Sequence, residues 1–299
     1  MGTPDFAVAS LRALVESGFH IAAVVTAQDK PAGRGLNLTE SAVKQFAVKN
    51  NIPVLQPEKL RDPEFLEQLK SYQADVQVVV AFRMLPEVVW AMPDLGTINL
   101  HGSLLPQYRG AAPINRAIMN GETKTGVTTF KLQQEIDTGN ILLLEEITIG
   151  PNETAGELHD RMKEIGASLV VRTIRGFLDG TLQEKPQNIP DPSTLKTAPK
   201  IFAADCEINW QNTVTKIHNQ VRGLSPFPGA FTSFKEKTLK IYKVRPEKKD
   251  HGLLPGEMET DGKSWLRFSA VDGYIYVEEM QMEGKKRMKT ADFLRGFRV

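Results

Sequence analysis

The chain reads as an α/β protein: a Rossmann-like, doubly wound and mainly parallel sheet, followed by a small C-terminal OB-like β-barrel. Three observations predict this. From residue 5 to residue 180, helical apolar spacing alternates with short apolar runs. One run, VQVVVAF at 76–82, is apolar enough to need cover on both faces, as a parallel strand between crossover helices does. A proline-rich stretch at 181–200 then ends the pattern, and shorter strand-like runs broken by Gly, Pro, Asp and Lys follow it.

The elements follow in order. Residues 5–17 place Phe6, Val8, Leu11 and Leu14 at helical spacing, Gly18 supplies a stop, and the apolar run 21–26 reads as a buried strand. Residues 41–50 and 62–72 repeat the helical pattern, with strand-like runs after them at 53–55 and 76–81. Residues 96–101 read as a strand, 112–120 as a helix, and 125–132 and 140–149 as two more strands. Thr154 and Glu157 have the spacing of a capping box at the start of a long helix, and Gly180 stands where its C-terminal cap belongs. Pro186, Pro190, Pro192 and Pro199 mark 181–200 as a linker. Beyond it, 214–221 is helical, and 230–234, 239–244, 264–270 and 274–280 are short strands. The expected division is a catalytic domain at 1–180, a linker at 181–200 and a barrel at 201–299.

Composition narrows the function classes. A chain of 299 residues is about two domains long, and 41% hydrophobic with 24% charged residues suits a folded protein. The 37 basic and 36 acidic residues leave a net charge of +1, which divides into −3 over the first 200 residues and +4 over 201–299. An acidic first half and a basic second half suit a substrate that includes a polyphosphate chain. Cys206 is the only cysteine, so neither an intrachain disulfide nor a cysteine metal cluster can form. The five histidines are scattered without ligand spacing, so no metal is expected. No apolar run approaches the roughly 20 residues that span a bilayer, and no basic-then-apolar leader opens the chain, so a cytoplasmic protein away from membranes is expected.

Several motifs fail on context. Gly33-Arg34-Gly35 lacks a third glycine between strand and helix, and there is no Gly-Lys-Ser/Thr loop, so no nucleotide cofactor is expected. Asp137-Thr138-Gly139 occurs once, whereas aspartic proteases need two carboxylates. Ser41 and Lys44 with Lys124-Thr125-Gly126 mimic two serine acyltransferase boxes, but the third is missing.

The segment GTINLHGSLLPQYRGAAPINRA, residues 96–117, is different. On a strand, Thr97, Asn99 and His101 share one face and Ile98 and Leu100 the other. The strand ends at His101 and runs into a Gly102-Ser103 turn, so Asn99 and His101 stand at its carboxyl end, where open α/β sheets bind ligands. An Asn amide and a His beside a carboxylate can both donate to a developing oxyanion. Asp137, in the polar turn QEIDTGN between two strand runs, is the natural carboxylate. The three suit attack of an amine on a carbonyl, with the carboxylate handling the proton and no covalent enzyme intermediate.

At these residues the chain resembles the folate-dependent formyltransferases, and it resembles the branch acting on methionyl-tRNA almost end to end. Asn99, His101 and Asp137 fall at that family's catalytic positions, and Ser103, Leu104, Leu105 and Pro106 match its tetrahydrofolate-contacting segment. Gly2-Thr3-Pro4-Asp5-Phe6-Ala7, Lys30-Pro31-Ala32-Gly33-Arg34-Gly35 and Arg222-Gly223-Leu224-Ser225-Pro226 are also similar to it. The resemblance implies formyl transfer from 10-formyltetrahydrofolate to the α-amine of initiator methionyl-tRNA. It also implies a C-terminal barrel that helps hold the tRNA, with Arg34 and Lys30 reaching its acceptor end. A monomer is expected.

Two departures stand out. The family has an apolar strand before the Gly-Thr-Pro turn, but here Met1 abuts Gly2, so the expected sheet lacks that strand and leaves two neighbours with open backbone edges. Ala81-Phe82-Arg83-Met84 replaces the family's Ala-Tyr-Gly near the pterin pocket. A formyltransferase acting on an amino sugar nucleotide would share the catalytic set, and a non-catalytic tRNA-binding protein would share the basic C-terminus.

Overall fold

The computed structural model describes residues 1–32, 37–189 and 191–296. In chain order its elements begin with α1 (Asp5–Glu16), β1 (Val24–Val25), β2 (Lys30–Ala32), β3 (Asn37–Thr39), α2 (Ala42–Lys49) and β4 (Val54–Leu55). They continue with α3 (Pro63–Ser71), β5 (Gln77–Val80), α4 (Glu87–Trp90), β6 (Thr97–His101), β7 (Arg109–Gly110), α5 (Pro113–Met119), β8 (Lys124–Lys131), β9 (Ile141–Thr148) and α6 (Ala155–Leu178). The remainder is β10 (Thr197–Ala198), α7 (Ala203–Cys206), α8 (Val214–Leu224), β11 (Ala230–Phe234), β12 (Lys237–Lys248), β13 (Met258–Thr260), β14 (Leu266–Ala270), β15 (Gly273–Met282), β16 (Met288–Lys289) and α9 (Thr290–Gly296).

Two compact units emerge, and neither is contiguous. The first comprises Met1–Arg109, Gly126–Ile147 and His159–Lys196; the second comprises Gly110–Thr125, Thr148–Leu158 and the chain from Thr197 onward. The stretch from 181 to 196, which composition marks as linker, is stitched to the first unit: Lys185 and Ile141 exchange backbone hydrogen bonds of 2.9 and 2.8 Å. Prolines erase apolar periodicity without removing the carbonyls and the remaining N–H groups that make such bonds.

The first unit's helices start where their caps dictate. The Ser41 hydroxyl accepts from Lys44 N–H at the head of α2, and the Asp62 carboxylate accepts from Glu64 and Phe65 N–H at the head of α3. Strand β1 pairs in parallel with β4, and β5 with β6. The main sheet has the order β5-β6-β8-β9, and β8 runs antiparallel to β6, so the expected mainly parallel arrangement gives way at that pair. Val25, Leu55, Phe65, Leu69, Val79 and Val89 pack one core cluster.

The paired part of β1 is only two residues, although the apolar run is longer. The reason lies beside it. Met1 and Gly2 sit between β1 and β5: Gly2 N–H donates to Val25 C=O at 3.0 Å, and Val80 N–H donates to Met1 C=O at 2.9 Å. That places β1 and β5 two strand spacings apart, roughly 10 Å. Below Met1 this slot is a cavity of about 340 Å³ lined by residues that include Ser10, Leu14, Ala23, Val25, Val76 and Val78. Burial of the Met1 ammonium against Val78 C=O pulls its pKa down to about 5.

In the second unit the antiparallel sheet follows the path β11-β12-β15-β14-β13, with β16 added to β15. The long strand β12 shifts register against β15 at Ile241, Lys243 and Val244, irregularities that let a sheet curl. Ile217, Val221 and Leu224 of α8 are buried with Ile241, Leu266, Ile275 and Met280 from the sheet.

Candidate active site

Strand β6 carries the polar face that the sequence shows, and the sheet order explains why it is no edge. It lies between β5 and β8, with Asn99 opposite Val79 on one side and Phe130 on the other. Ile98 and Leu100 on the opposite face are 0% and 4% exposed. Leu100 packs so close to Gly166 of α6 that a Cβ there would press on it. Thr97 is consumed structurally, its hydroxyl donating to the Trp90 carbonyl at 2.7 Å. Asn99 is half-buried and His101 buried at the carboxyl end of the strand.

The geometry around His101 settles which nitrogen does what. Nε2 lies 2.8 Å from the Tyr108 carbonyl oxygen, which can only accept, so Nε2 carries hydrogen. Nδ1 is left facing Asp137, whose Oδ2 is 3.8 Å away. Both side chains are largely buried, at 8% and 12% exposure. At 3.8 Å the pair is in ion-pair range but beyond a direct hydrogen bond. With Nε2 committed to a carbonyl, Nδ1 is the ring nitrogen that faces the carboxylate. The ring meets Phe130 edge-on at 6.5 Å between centroids.

Asp137 reaches this position on the turn between β8 and β9. Its own φ is +55°, in the left-handed region, and Gly139 two residues on lies so close to Lys131 that a Cβ would collide with that residue's carbonyl oxygen. The turn is therefore a specific conformation in contact with the end of β8.

The segment 103–106 divides by burial. Ser103 is 0% and Leu105 4% exposed, whereas Leu104 and Pro106 are intermediate. The Ser103 hydroxyl donates to Gln107 C=O at 2.6 Å, its carbonyl accepts from Thr128 Oγ1 at 2.7 Å, and Leu105 N–H donates to that same oxygen at 3.2 Å. Ser103 and Leu105 thus hold the turn, and Leu104 and Pro106 are the two with side-chain surface to offer. Lys30 is exposed on β2, which pairs with β3. Arg34 lies outside the described residues. Arg83, in the segment that departs from the family pattern, donates to the carbonyls of Pro57 and Glu58 at 2.6 and 2.8 Å.

Three residues of this site carry no sequence signal of their own: Tyr108, Arg109 and Gln187. Tyr108 receives the His101 bond; Arg109 donates to Gln187 Oε1 from Nε and a terminal nitrogen at 3.2 and 2.6 Å. Gln187 in turn donates to the carbonyls of Asp137 and Gly139, both at 2.8 Å. Among the described residues no group of three His, Cys, Asp or Glu is placed to hold a metal, and no helix is long and apolar enough to cross a membrane.

Comparison with known proteins places this geometry. A domain model described as formyl transferase matches residues 1–174, and one described as formyl transferase, C-terminal domain, matches 200–298. A methionyl-tRNA formyltransferase of Bacteroides fragilis is 48% identical, covering all of this chain and 94% of that protein. One of Parabacteroides distasonis is 51% identical with the same coverage. Among solved structures, WlaRD, a sugar 3N-formyl transferase crystallised with dTDP and 5-N-formyl-THF, shares 23% identity at a TM-score of 0.68, covering 95% of this chain and 97% of its own. HypX from Aquifex aeolicus, in complex with tetrahydrofolic acid, shares 20% identity at a TM-score of 0.61, covering 83% of this chain and 43% of its own. Those two likenesses bear on the fold, a Rossmann-like N-terminal part followed by a part with a curled antiparallel sheet. The two domain models and the full-length relatives bear on descent: the chain belongs to the formyl transferase family.

Proposed function

We propose that this chain transfers the formyl group of 10-formyltetrahydrofolate to the α-amino group of initiator methionyl-tRNA. The observation that carries the chemistry is the approach of Asp137 to His101 Nδ1 at the carboxyl end of β6, the strand that also carries Asn99 two residues before. The acceptor rests on the full-length relatives at 48–51% identity, which bear the name methionyl-tRNA formyltransferase.

The chemistry needs little beyond polar donors. A free α-amine has a pKa of roughly 7.7–8.0, so on the order of a tenth is uncharged at pH 7 and already nucleophilic. Its nitrogen attacks the formyl carbon, a C–N bond forms, and the carbonyl oxygen gains negative charge. The Asn99 amide and the His101 ring, through Nδ1–H, donate to that oxygen. The bond from carbon to the folate N10 then breaks, and the proton lost by the amine passes by way of Asp137 to N10. Products are formylmethionyl-tRNA and tetrahydrofolate, so atoms balance without a metal or redox partner. Leu104 and Pro106 supply the folate-facing surface of the turn that Ser103 and Leu105 hold.

We assign tRNA contact to residues 201–299, with their charge of +4, and contact with its acceptor end to Arg34 and Lys30. We read the curled sheet β11-β12-β15-β14-β13 as a barrel of the OB type, and the enzyme as a cytoplasmic monomer. Incubation with 10-formyltetrahydrofolate and charged initiator tRNA, scored for formylmethionine, tests the reading. An amino sugar nucleotide offered in parallel should receive no formyl group. Absence of formylmethionine from folded protein, or preference for the sugar, overturns it.

A further inference from the structure

Gln187 lies in the proline-rich stretch after α6, yet its amide is fully engaged. Oε1 accepts twice from the Arg109 guanidinium, and Nε2 donates once each to the carbonyls of Asp137 and Gly139. A guanidinium can only donate and a carbonyl can only accept, so the amide has one permissible orientation. Flipping it would set N–H against N–H on one side and oxygen against two oxygens on the other.

The two carbonyls it holds bracket Thr138, in the turn whose Asp137 stands at φ +55°. A non-glycine residue keeps such a conformation when its surroundings over-determine it. The strand-like neighbour of Gln187 adds to the hold: Glu184 takes hydrogen bonds from Lys131 and Asn140 at 3.0 Å each, and Lys185 pairs with Ile141. On the other side, Arg109 adjoins Tyr108, whose carbonyl holds His101 Nε2. One corner, Tyr108–Arg109, therefore reaches both members of the His–Asp pair: one directly, the other through Gln187.

We propose that Gln187 is a positioning residue for formyl transfer, which together with Arg109 clamps the Asp137 turn so that the carboxylate stays at His101 Nδ1. The proposal rests on the roles given above to Asp137 and His101. Misplacing a catalytic group by about 1 Å can cost on the order of 10²-fold in rate, and loss of two of the turn's hydrogen bonds should cost about 10-fold.

The test is steady-state kinetics of the full chain with 10-formyltetrahydrofolate and charged initiator tRNA. Gln187→Ala should lower kcat about 10-fold with KM for both substrates within about 2-fold, the pattern of an interaction lost in the transition state rather than in substrate binding. Gln187→Glu should behave alike: it keeps the Arg109 partner and the length but presents an oxygen to the two carbonyls. The reading unique to positioning is the double variant. In an Asp137→Asn background, adding Gln187→Ala should change kcat less than about 2-fold, since the group it positions is already disabled. Equal losses in both backgrounds would make Gln187 merely structural and overturn the proposal, as would wild-type kcat in Gln187→Ala and Gln187→Glu while Asp137→Asn is impaired. Wild-type kcat in Asp137→Asn would instead remove the role of Asp137 itself, and the clamp with it.

Discussion

His101 Nδ1 stands 3.8 Å from Asp137 Oδ2 while His101 Nε2 is bound to the Tyr108 carbonyl, so one ring nitrogen is tied to the backbone and the other faces the carboxylate. Asn99 lies on the same face of β6 and is the second donor of the proposed mechanism. Replacing either Asn99 or His101 by Ala should lower kcat on the order of 10²-fold, the loss typical of one oxyanion donor. A formylation time course measures it. Formylation at the wild-type rate by His101→Ala would sink the assignment.

Gly139 makes a second position sensitive. A Cβ there would run into the Lys131 carbonyl oxygen, a backbone atom that cannot swing aside. Gly139→Ala should therefore displace the Asp137 turn, destabilise the fold by about 2–3 kcal/mol and lower kcat together. Thermal unfolding and kcat on one preparation check both effects. A variant with unchanged Tm and kcat would show that the turn yields without cost.

The head of α6 provides a pH prediction. Thr154 N–H donates to Glu157 Oε2 at 2.8 Å, and Glu157 N–H donates to Thr154 Oγ1 at 3.3 Å, a complete capping box. The Thr154 backbone bond, then its hydroxyl, lowers the Glu157 pKa. A carboxylate whose folded pKa is depressed contributes stability above its unfolded pKa and loses it as pH falls through the folded value. Glu157→Ala should thus cost about 1 kcal/mol at pH 7, and the gap from wild type should close below about pH 4. Urea midpoints at several pH values would reveal a constant gap if the carboxylate were irrelevant.

Ser10 is 2% exposed on α1, and among the described residues its hydroxyl lacks a hydrogen-bond partner, at the wall of the cavity between β1 and β5. A buried hydroxyl without a partner costs about 1–3 kcal/mol, and Ala is the better helix former. Ser10→Ala should raise stability by about 1 kcal/mol, read as a higher urea midpoint at unchanged m-value. A lower midpoint would mean that the hydroxyl is satisfied in solution.

Much of the local structure is legible in the sequence. The caps of α2, α3 and α6 are written as Ser41, Asp62 and Thr154-x-x-Glu157, because a cap is a bond across three residues and needs nothing distant. The alternation of Asn99 and His101 against Ile98 and Leu100 is equally local, a consequence of the two-residue strand period. Strand β1 is less legible: apolar run and paired strand differ in length, because pairing depends on a neighbour that sequence periodicity does not report.

By itself, then, the sequence determined the α/β class and the polar face of β6, and through its resemblance to a family it put forward Asn99, His101 and Asp137 for the chemistry. Only the tertiary structure decided that β6 is central, that Nδ1 and not Nε2 of His101 meets Asp137, and that Gln187 braces the turn carrying that carboxylate. The physical reason is range. Side-chain periodicity and capping act within a few residues, whereas sheet order and the choice of hydrogen-bond partner depend on chain segments brought together only by folding.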